Sequence, residues 1–284
     1  MGKFFDALKK SARATDPFVA EEAEIKTVGM RHEDIDVLML GKERLEKPEP
    51  NEDRCDDSID PRLVCLQDPN SPAAESFKIL RSKLIANSSR ELRRAIMITS
   101  SEPEDGKSLV AANLALSIAR GINHHVLLMD TDLRVPQLHS LLGIQAKHGL
   151  REYLTNGSTL APYLFKTPAR KLTLLPAGRP SESPSELLSS EKMRQLVTEL
   201  KGRYPDRFLI LDSPPINFVA ETASLTAMVD AVILVVRSGK TARESTQNAI
   251  TTIGRERILG VVFNASEEAQ KDFRLYYRYY QKGK

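Results

Sequence analysis

The 284-residue chain reads as an α/β domain, a mainly parallel sheet covered by helices on both faces. Three observations carry that reading. Short apolar runs of strand length recur at 95–98, 125–129, 172–176, 207–211, 231–236 and 259–263, nearly continuous rather than alternating, as strands buried on both faces are. Helix-forming stretches separate them, at 109–119, from 184 to near Lys201, and at 242–255; strands alternating with helices imply crossover connections and parallel pairing. Finally, polar residues cluster where apolar runs end: Gly106-Lys107-Ser108 after the first, Asp130 and Asp132 after the second, Asp212 after the fourth and Asn264 after the last. Ligands of such sheets bind at the carboxyl ends of the strands, so these residues share one edge.

Composition narrows the class. The formal charge is +3, with 10 Lys/Arg against 16 Asp/Glu in residues 1–60, a net −6 that leaves +9 for the rest. A uniform nucleic-acid-binding surface is not indicated. Cys55 and Cys65 are the two cysteines; with no Cys-x-x-Cys and no histidine cluster they argue for a reducing compartment and against a zinc site or disulfide framework. The apolar runs fall far short of the roughly 20 residues a membrane helix needs, and Met1-Gly2-Lys3-Phe4-Phe5 lacks an apolar signal core. The expectation is a cytoplasmic chain that reaches a membrane only through a partner.

Taken in order, residues 1–67 are an acidic, mostly disordered N-terminal arm, in which Phe4, Phe5 and Leu8 lie on one face of a short helix ending near Lys10. A docking segment and a solvated tail are both compatible with it. From Ser71-Pro72 the pattern turns helical, with Phe77, Leu80 and Leu84 on one stripe and Glu75, Lys78 and Arg81 on another; that spacing alone describes a solvated charged face. The main domain is expected over 68–270.

The stretch Thr99-Ser100-Ser101-Glu102-Pro103-Glu104-Asp105-Gly106-Lys107-Ser108 reads as a phosphate-binding loop. A strand feeding a loop that ends in Gly-Lys-Ser at a helix start aims backbone N–H groups and the helix dipole at one point. Lys107 then reaches terminal phosphates and the Ser108 hydroxyl takes a place on Mg²⁺. The full pattern begins with glycine, where this chain has Ser101, and a lone Gly-Lys-Ser also occurs by chance. Asp130-Thr131-Asp132 projects two carboxylates from one strand end, able to converge on a metal or a hydroxyl proton; a helix cap before Pro136 is the plain alternative. Ser183-Pro184 is a helix start. Asp212 at the end of an apolar strand, downstream of a phosphate loop, suits the Mg²⁺ contact of nucleotide hydrolases.

The tail, 271–284, holds five Lys/Arg against one Asp and four of the seven tyrosines, Tyr276, Tyr277, Tyr279 and Tyr280. Such interleaving could stack on single-stranded nucleic acid, pack as a terminal helix, or present tyrosines as substrates.

As an ordered set, these motifs resemble the cytoplasmic kinase domain of the bacterial tyrosine kinases that control exopolysaccharide synthesis and export, a branch of the deviant Walker P-loop ATPases related to MinD. The resemblance covers about residues 68–284. Residues 101–108 match the Walker A loop, 127–136 (Leu-Leu-Met-Asp-Thr-Asp-Leu-Arg-Val-Pro) the Walker A′ motif and 208–215 Walker B. Pro176-Ala177-Gly178 with Pro184-Ser185-Glu186-Leu187-Leu188 also fits, and the tail resembles the family's tyrosine cluster. This implies a P-loop, MinD-like fold and a protein-tyrosine autokinase using ATP and Mg²⁺. By the resemblance Lys107 stabilises the transferring phosphoryl group, Asp130 acts as base or orienter for the tyrosine hydroxyl, and Asp132 acts on that hydroxyl or on the metal. Ser108 and Asp212 hold Mg²⁺. Ser101, Glu104, Asp105, Gly106 and Leu109 complete the nucleotide cradle, and Asn264 contacts the adenine edge. Glu75, Lys78 and Arg81 form the oligomerisation helix of a ring assembled when unphosphorylated, and Tyr276, Tyr277, Tyr279 and Tyr280 are phosphorylated in trans. A separate transmembrane adaptor of the chain-length-regulator type and a cognate tyrosine phosphatase are implied as partners, with no nucleic acid.

Three departures from the family pattern stand out. Glu102 occupies the place of the second loop lysine of partitioning ATPases, which weakens a MinD- or ParA-like positioning role. Glu104 stands where the kinases usually have glycine, bringing a carboxylate near the phosphates unless it turns outward. Lys78 replaces an arginine in the oligomerisation motif and lacks its bidentate grip. A positioning ATPase and a nucleotide-binding scaffold without kinase activity remain the alternative functions.

Overall fold

The computed structural model describes residues 59–91, 93–203 and 207–266. Among these, one seven-stranded sheet contains β1 (Ala95–Ser100), β2 (His125–Asp130), β3 (Phe165–Lys166), β4 (Leu172–Leu175), β5 (Arg207–Asp212), β6 (Ala231–Arg237) and β7 (Ile258–Asn264). Its order is β3-β4-β2-β5-β1-β6-β7, parallel throughout except for the short antiparallel β3 at one edge. The expected mainly parallel α/β sheet is what the chain forms.

Alternate residues of each strand feed two cores. Ile96, Ile98, Val126, Leu128, Phe208, Ile210, Ile233 and Val235 face one layer, where α2 (Pro72–Glu91) and α3 (Lys107–Ala119) pack. Met97, Leu127, Met129, Leu209, Leu211, Val232 and Leu234 face the other. That layer is built from α5 (Leu150–Asn156), α6 (Pro184–Leu188), α7 (Glu191–Arg203), α8 (Ala220–Thr226) and α9 (Arg243–Ile253), with α1 (Val64–Gln67) and α4 (Leu138–Leu141) on the first layer. Each fully buried leucine or isoleucine contributes about 1.5–3 kcal/mol relative to exposure. Helix α3 is buried almost all round, and its small residues Ala111, Ala112 and Ala115 let its backbone approach the sheet closely.

The acidic arm expected over 1–67 stops short of its expected end. Leu63 and Cys65 sit in the core, and Asn113 of α3 straps this segment down: its Oδ1 accepts from the Cys65 N–H at 3.0 Å while its Nδ2 donates to the Arg62 carbonyl at 3.1 Å. Burial pushes the Cys65 thiol up to about 12, leaving it an inert core side chain. Phe4, Phe5, Leu8, Cys55 and the tyrosine tail lie outside the described residues.

The helix expected from 184 to 201 is two. Ser189 Oγ bonds back to the Ser185 carbonyl at 2.6 Å, and Ser190 Oγ accepts from the Met193 N–H at 3.2 Å, so adjacent serines end α6 and cap α7. Helix α8, between the fifth and sixth strands, has no counterpart in the sequence reading; its short run Ala220–Thr226 carries too few turns for periodicity to register.

Candidate functional site

Sheet register assembles the site. β5 lies between β1 and β2, with Asp212 opposite Asp130 on one side and Ile98 on the other. Two motifs 82 positions apart in the chain thereby become neighbours, and the loop after β1 closes over them. The Ser213 and Ile216 N–H groups donate to Ile98 and Ser100 carbonyls at 3.1 and 2.9 Å, and Thr99 Oγ1 donates to the Pro214 carbonyl at 2.8 Å. The loop after β5 is thus fixed against the phosphate loop.

Gly106 precedes α3 with φ +94°, and a Cβ there would lie 2.1 Å from Asn264 Nδ2. Only glycine fits. Ser101, at the position where the pattern wants glycine, is buried and is not among the residues with positive φ, so the chain tolerates a side chain there. Glu104 does adopt φ +62°, a conformation that favours glycine. Its side chain turns outward, 77% exposed, to pair with Lys240 at 2.7 Å, and its carbonyl accepts from Arg237 Nη1 at 3.1 Å. The extra carboxylate therefore faces solvent, and the Lys240 ammonium holds it below the usual glutamate range.

Asp105 is a structural residue of the loop. Its Oδ1 accepts from Thr241 Oγ1 at 2.6 Å and its Oδ2 from the Glu102 N–H at 3.1 Å. Asn264 donates through Nδ2 to the Asp105 carbonyl at 2.9 Å, bracing the loop, beside a groove of about 400 Å³ lined by Ile79, Lys83, Val110 and Phe263. Leu109 sits in the first turn of α3.

Lys107 meets Asp132, Nζ to Oδ2 at 3.2 Å, with both side chains largely buried. Burial works to lower the ammonium's pKa, but the Asp212, Asp132 and Asp130 carboxylates around it outweigh that and raise it, so Lys107 stays a cation. Asp132 Oδ1 accepts from the Arg134 and Val135 N–H groups at 3.3 and 3.0 Å, leaving Oδ2 for the lysine. Asp130 is fully buried; Oδ1 accepts from the Asp132 N–H at 3.1 Å, and Oδ2 from the Gln137 and Leu138 N–H groups at 3.2 and 3.1 Å. Burial first, then the facing Asp212 carboxylate, holds Asp130 well above the ordinary aspartate range.

Asp212 differs. Neither of its buried oxygens has an aligned hydrogen-bond partner among the described residues. Burial pushes its pKa up to about 6, opposed by Lys107 and by the nearby Ser108 hydroxyl. Three buried carboxylates around one lysine leave the edge short of positive charge, and an unpartnered buried carboxylate is costly. The arrangement calls for a cation. Mg²⁺ takes carboxylate and hydroxyl oxygens, and Asp212 with Ser108 offers both.

Not every expected site residue gathers here. Glu75 and Lys78 pair with each other on α2 at 2.9 Å, and Arg81 Nη1 donates to the Ser117 carbonyl of α3 at 2.7 Å, within its own chain. Conversely, the site depends on residues the sequence reading did not single out: Arg237, Lys240 and Thr241 behind the phosphate loop, and a buried Glu221 that binds Arg134 at 2.7 Å and Ser185 at 2.7 Å. For Arg237, Lys240 and Thr241 the one legible signal is position, the polar run 237–241 at the end of an apolar strand on the same edge; Glu221 has none.

No protein-family profile matches the sequence. The tyrosine-protein kinase YwqD of Bacillus subtilis is 31% identical over 207 residues, 72% of this chain and 86% of that protein. Among solved structures, the chimerical protein CapA2B2 superposes with a TM-score of 0.68 at 30% identity, covering 73% of this chain and 92% of that one. The kinase domain of the Escherichia coli tyrosine kinase ETK gives 0.67 at 26% identity, covering 79% and 87%. The fold alone extends to the septum site-determining protein MinD of Pyrococcus horikoshii, with a TM-score of 0.51, 22% identity and coverage of 63% and 76%.

Proposed function

The chain belongs to the bacterial tyrosine-protein kinases, and from that membership we propose that it is an ATP-dependent autokinase that phosphorylates Tyr276, Tyr277, Tyr279 and Tyr280 in trans and so regulates exopolysaccharide chain synthesis and export. The observation that carries the reading is the Lys107–Asp132 pair at 3.2 Å beside the unpartnered Asp212 carboxylate.

Phosphoryl transfer is catalysed chiefly by positioning and charge neutralisation, and the residues divide those tasks. Lys107, held cationic and tethered through Asp132, neutralises charge on the transferring phosphoryl group. Asp132 orients the incoming tyrosine hydroxyl. Asp130, whose two oxygens accept three backbone N–H groups, builds the turn that carries Asp132 and takes up protons readily because its pKa is raised. Ser108 and Asp212 would hold Mg²⁺, which supplies the remaining neutralisation of phosphate charge. The backbone from Ser101 to Leu109 cradles the phosphates, and Asn264 with its adjoining groove serves the adenine end.

In the same reading the kinase works at the inner face of the plasma membrane through a separate transmembrane adaptor of the chain-length-regulator type. It forms a ring through the Glu75, Lys78 and Arg81 face of α2 when unphosphorylated, and a cognate phosphatase resets it. Incubating the purified chain with Mg²⁺ and ATP should produce phosphotyrosine in the tail by mass spectrometry, and Lys107→Met should reduce it by about three powers of ten or more. Turnover of ATP without phosphotyrosine would instead identify a positioning ATPase.

A further inference from the structure

A fully buried carboxylate on α8 ties the turn after β2, which carries Asp132, to α6 and to the segment that follows Asp212, and the chemistry described so far gives it no task. The Glu221 side chain is 0% exposed. Its Oε1 accepts from Arg134 Nε at 2.7 Å and its Oε2 from Ser185 Oγ at 2.7 Å. Burial works to raise its pKa, but those two donors together with the residue's own backbone N–H outweigh it and hold Glu221 below the usual range, so it is ionised in the fold. Each bond comes from a different segment. Arg134 lies in the turn after β2, Ser185 in the first turn of α6, and Glu221 itself in the helix that follows Asp212 and its two prolines. A second tie joins two of them: the Ser181 N–H donates to the Leu133 carbonyl at 2.9 Å.

We infer that Glu221 is a positioning residue for phosphoryl transfer, acting through Arg134 on Asp132; this rests on the kinase reading given above. The path is short and continuous. Glu221 holds the Arg134 guanidinium, the Arg134 N–H donates to Asp132 Oδ1 at 3.3 Å, and Asp132 Oδ2 holds Lys107 at 3.2 Å. Asp132 accepts from its own turn on one oxygen only, so the direction of the other is set by where that turn sits. The turn is anchored from one end by Asp130 on the sheet and from the other by Glu221 on α8. Releasing the second anchor lets Asp132 and Lys107 drift from the geometry that transfer requires, while the backbone cradle for the phosphates stays intact.

A buried charge can also serve stability alone, so the test separates the two roles. Glu221→Gln removes the charge at constant shape. The double variant Arg134→Met with Glu221→Met removes the pair altogether, so that no buried carboxylate is left without its guanidinium. Positioning predicts that both variants lose about tenfold to a hundredfold in kcat for phosphotyrosine formation, with the KM for ATP within about twofold of wild type, even where the double variant melts at the wild-type temperature. Amide hydrogen exchange reads the same turn without catalysis: the N–H groups of Arg134 and Val135 should exchange about tenfold faster in both variants, with α3 unchanged. A double variant with wild-type kcat, or unaltered exchange at Arg134 and Val135, overturns the inference. Wild-type protein that makes no phosphotyrosine would sink the kinase reading instead, and the exchange measurement would still decide whether Glu221 anchors the turn.

Discussion

Asp212 and Glu221 are both buried acids on segments nine residues apart, and their surroundings are opposite. Glu221 has a guanidinium and a hydroxyl on its two oxygens and a lowered pKa. Asp212 has no aligned hydrogen-bond partner among the described residues and a pKa raised to about 6. The contrast shows how one fold uses the same functional group twice. A satisfied buried carboxylate fixes geometry, whereas an unsatisfied one stores a demand for positive charge that a ligand can meet.

The largest effects should come from removing each acid's particular relationship. Asp212→Asn should lower phosphotyrosine formation by about 10³-fold and yet stabilise the unliganded protein by about 1–2 kcal/mol, because the amide carries no unpaired charge. Arg134→Met, which takes the guanidinium from the Glu221 carboxylate and leaves it the Ser185 hydroxyl, should destabilise by about 1–2 kcal/mol, the half-exposed arginine being partly screened. Urea unfolding of the two variants checks this; shifts of the same sign would erase the distinction between the two regions.

Acidity sharpens the comparison with a smaller effect. Asp212, raised from 3.8 to about 6 in the fold, contributes stability that is fully present below 3.8 and is lost as pH rises through about 6. Glu221, lowered from 4.5, contributes stability that is present above 4.5 and is lost as pH falls through its lower folded value. The melting temperature of the unliganded protein should therefore be highest between these limits. Asp212→Asn should flatten the alkaline limb of the profile and Glu221→Gln the acid limb. A variant that changes the wrong limb would mean that its acid is misassigned.

The smallest effect is expected at Glu104, a charged side chain beside the site that belongs to neither class. It faces solvent and pairs with Lys240, so Glu104→Gly removes an exposed ion pair of little worth while relieving a backbone that favours glycine. Kinase activity should stay within about twofold of wild type. A large gain in rate would show that the carboxylate does reach the phosphates.

The sequence by itself determined six of the seven strands, missing the two-residue edge strand Phe165–Lys166, together with the loop ending in Gly106-Lys107-Ser108, the carboxylates at Asp130, Asp132 and Asp212, and the edge on which they gather. These are local properties. Apolar runs of strand length, a glycine before a helix and an acid at a strand end are each set within a few residues. Sequence could also show that Glu104 departs from the pattern, but not which way its side chain points. That was decided by Lys240 and Arg237, more than 130 positions away. Tertiary structure alone placed β5 between β1 and β2, because crossover connections leave the neighbours of a parallel strand undetermined by its neighbours in the chain. It also gave Glu221 its partners and left Asp212 without them. Both lie in similar stretches after an apolar strand, and the partner of a buried charge comes from whichever distant segment the sheet order carries to it.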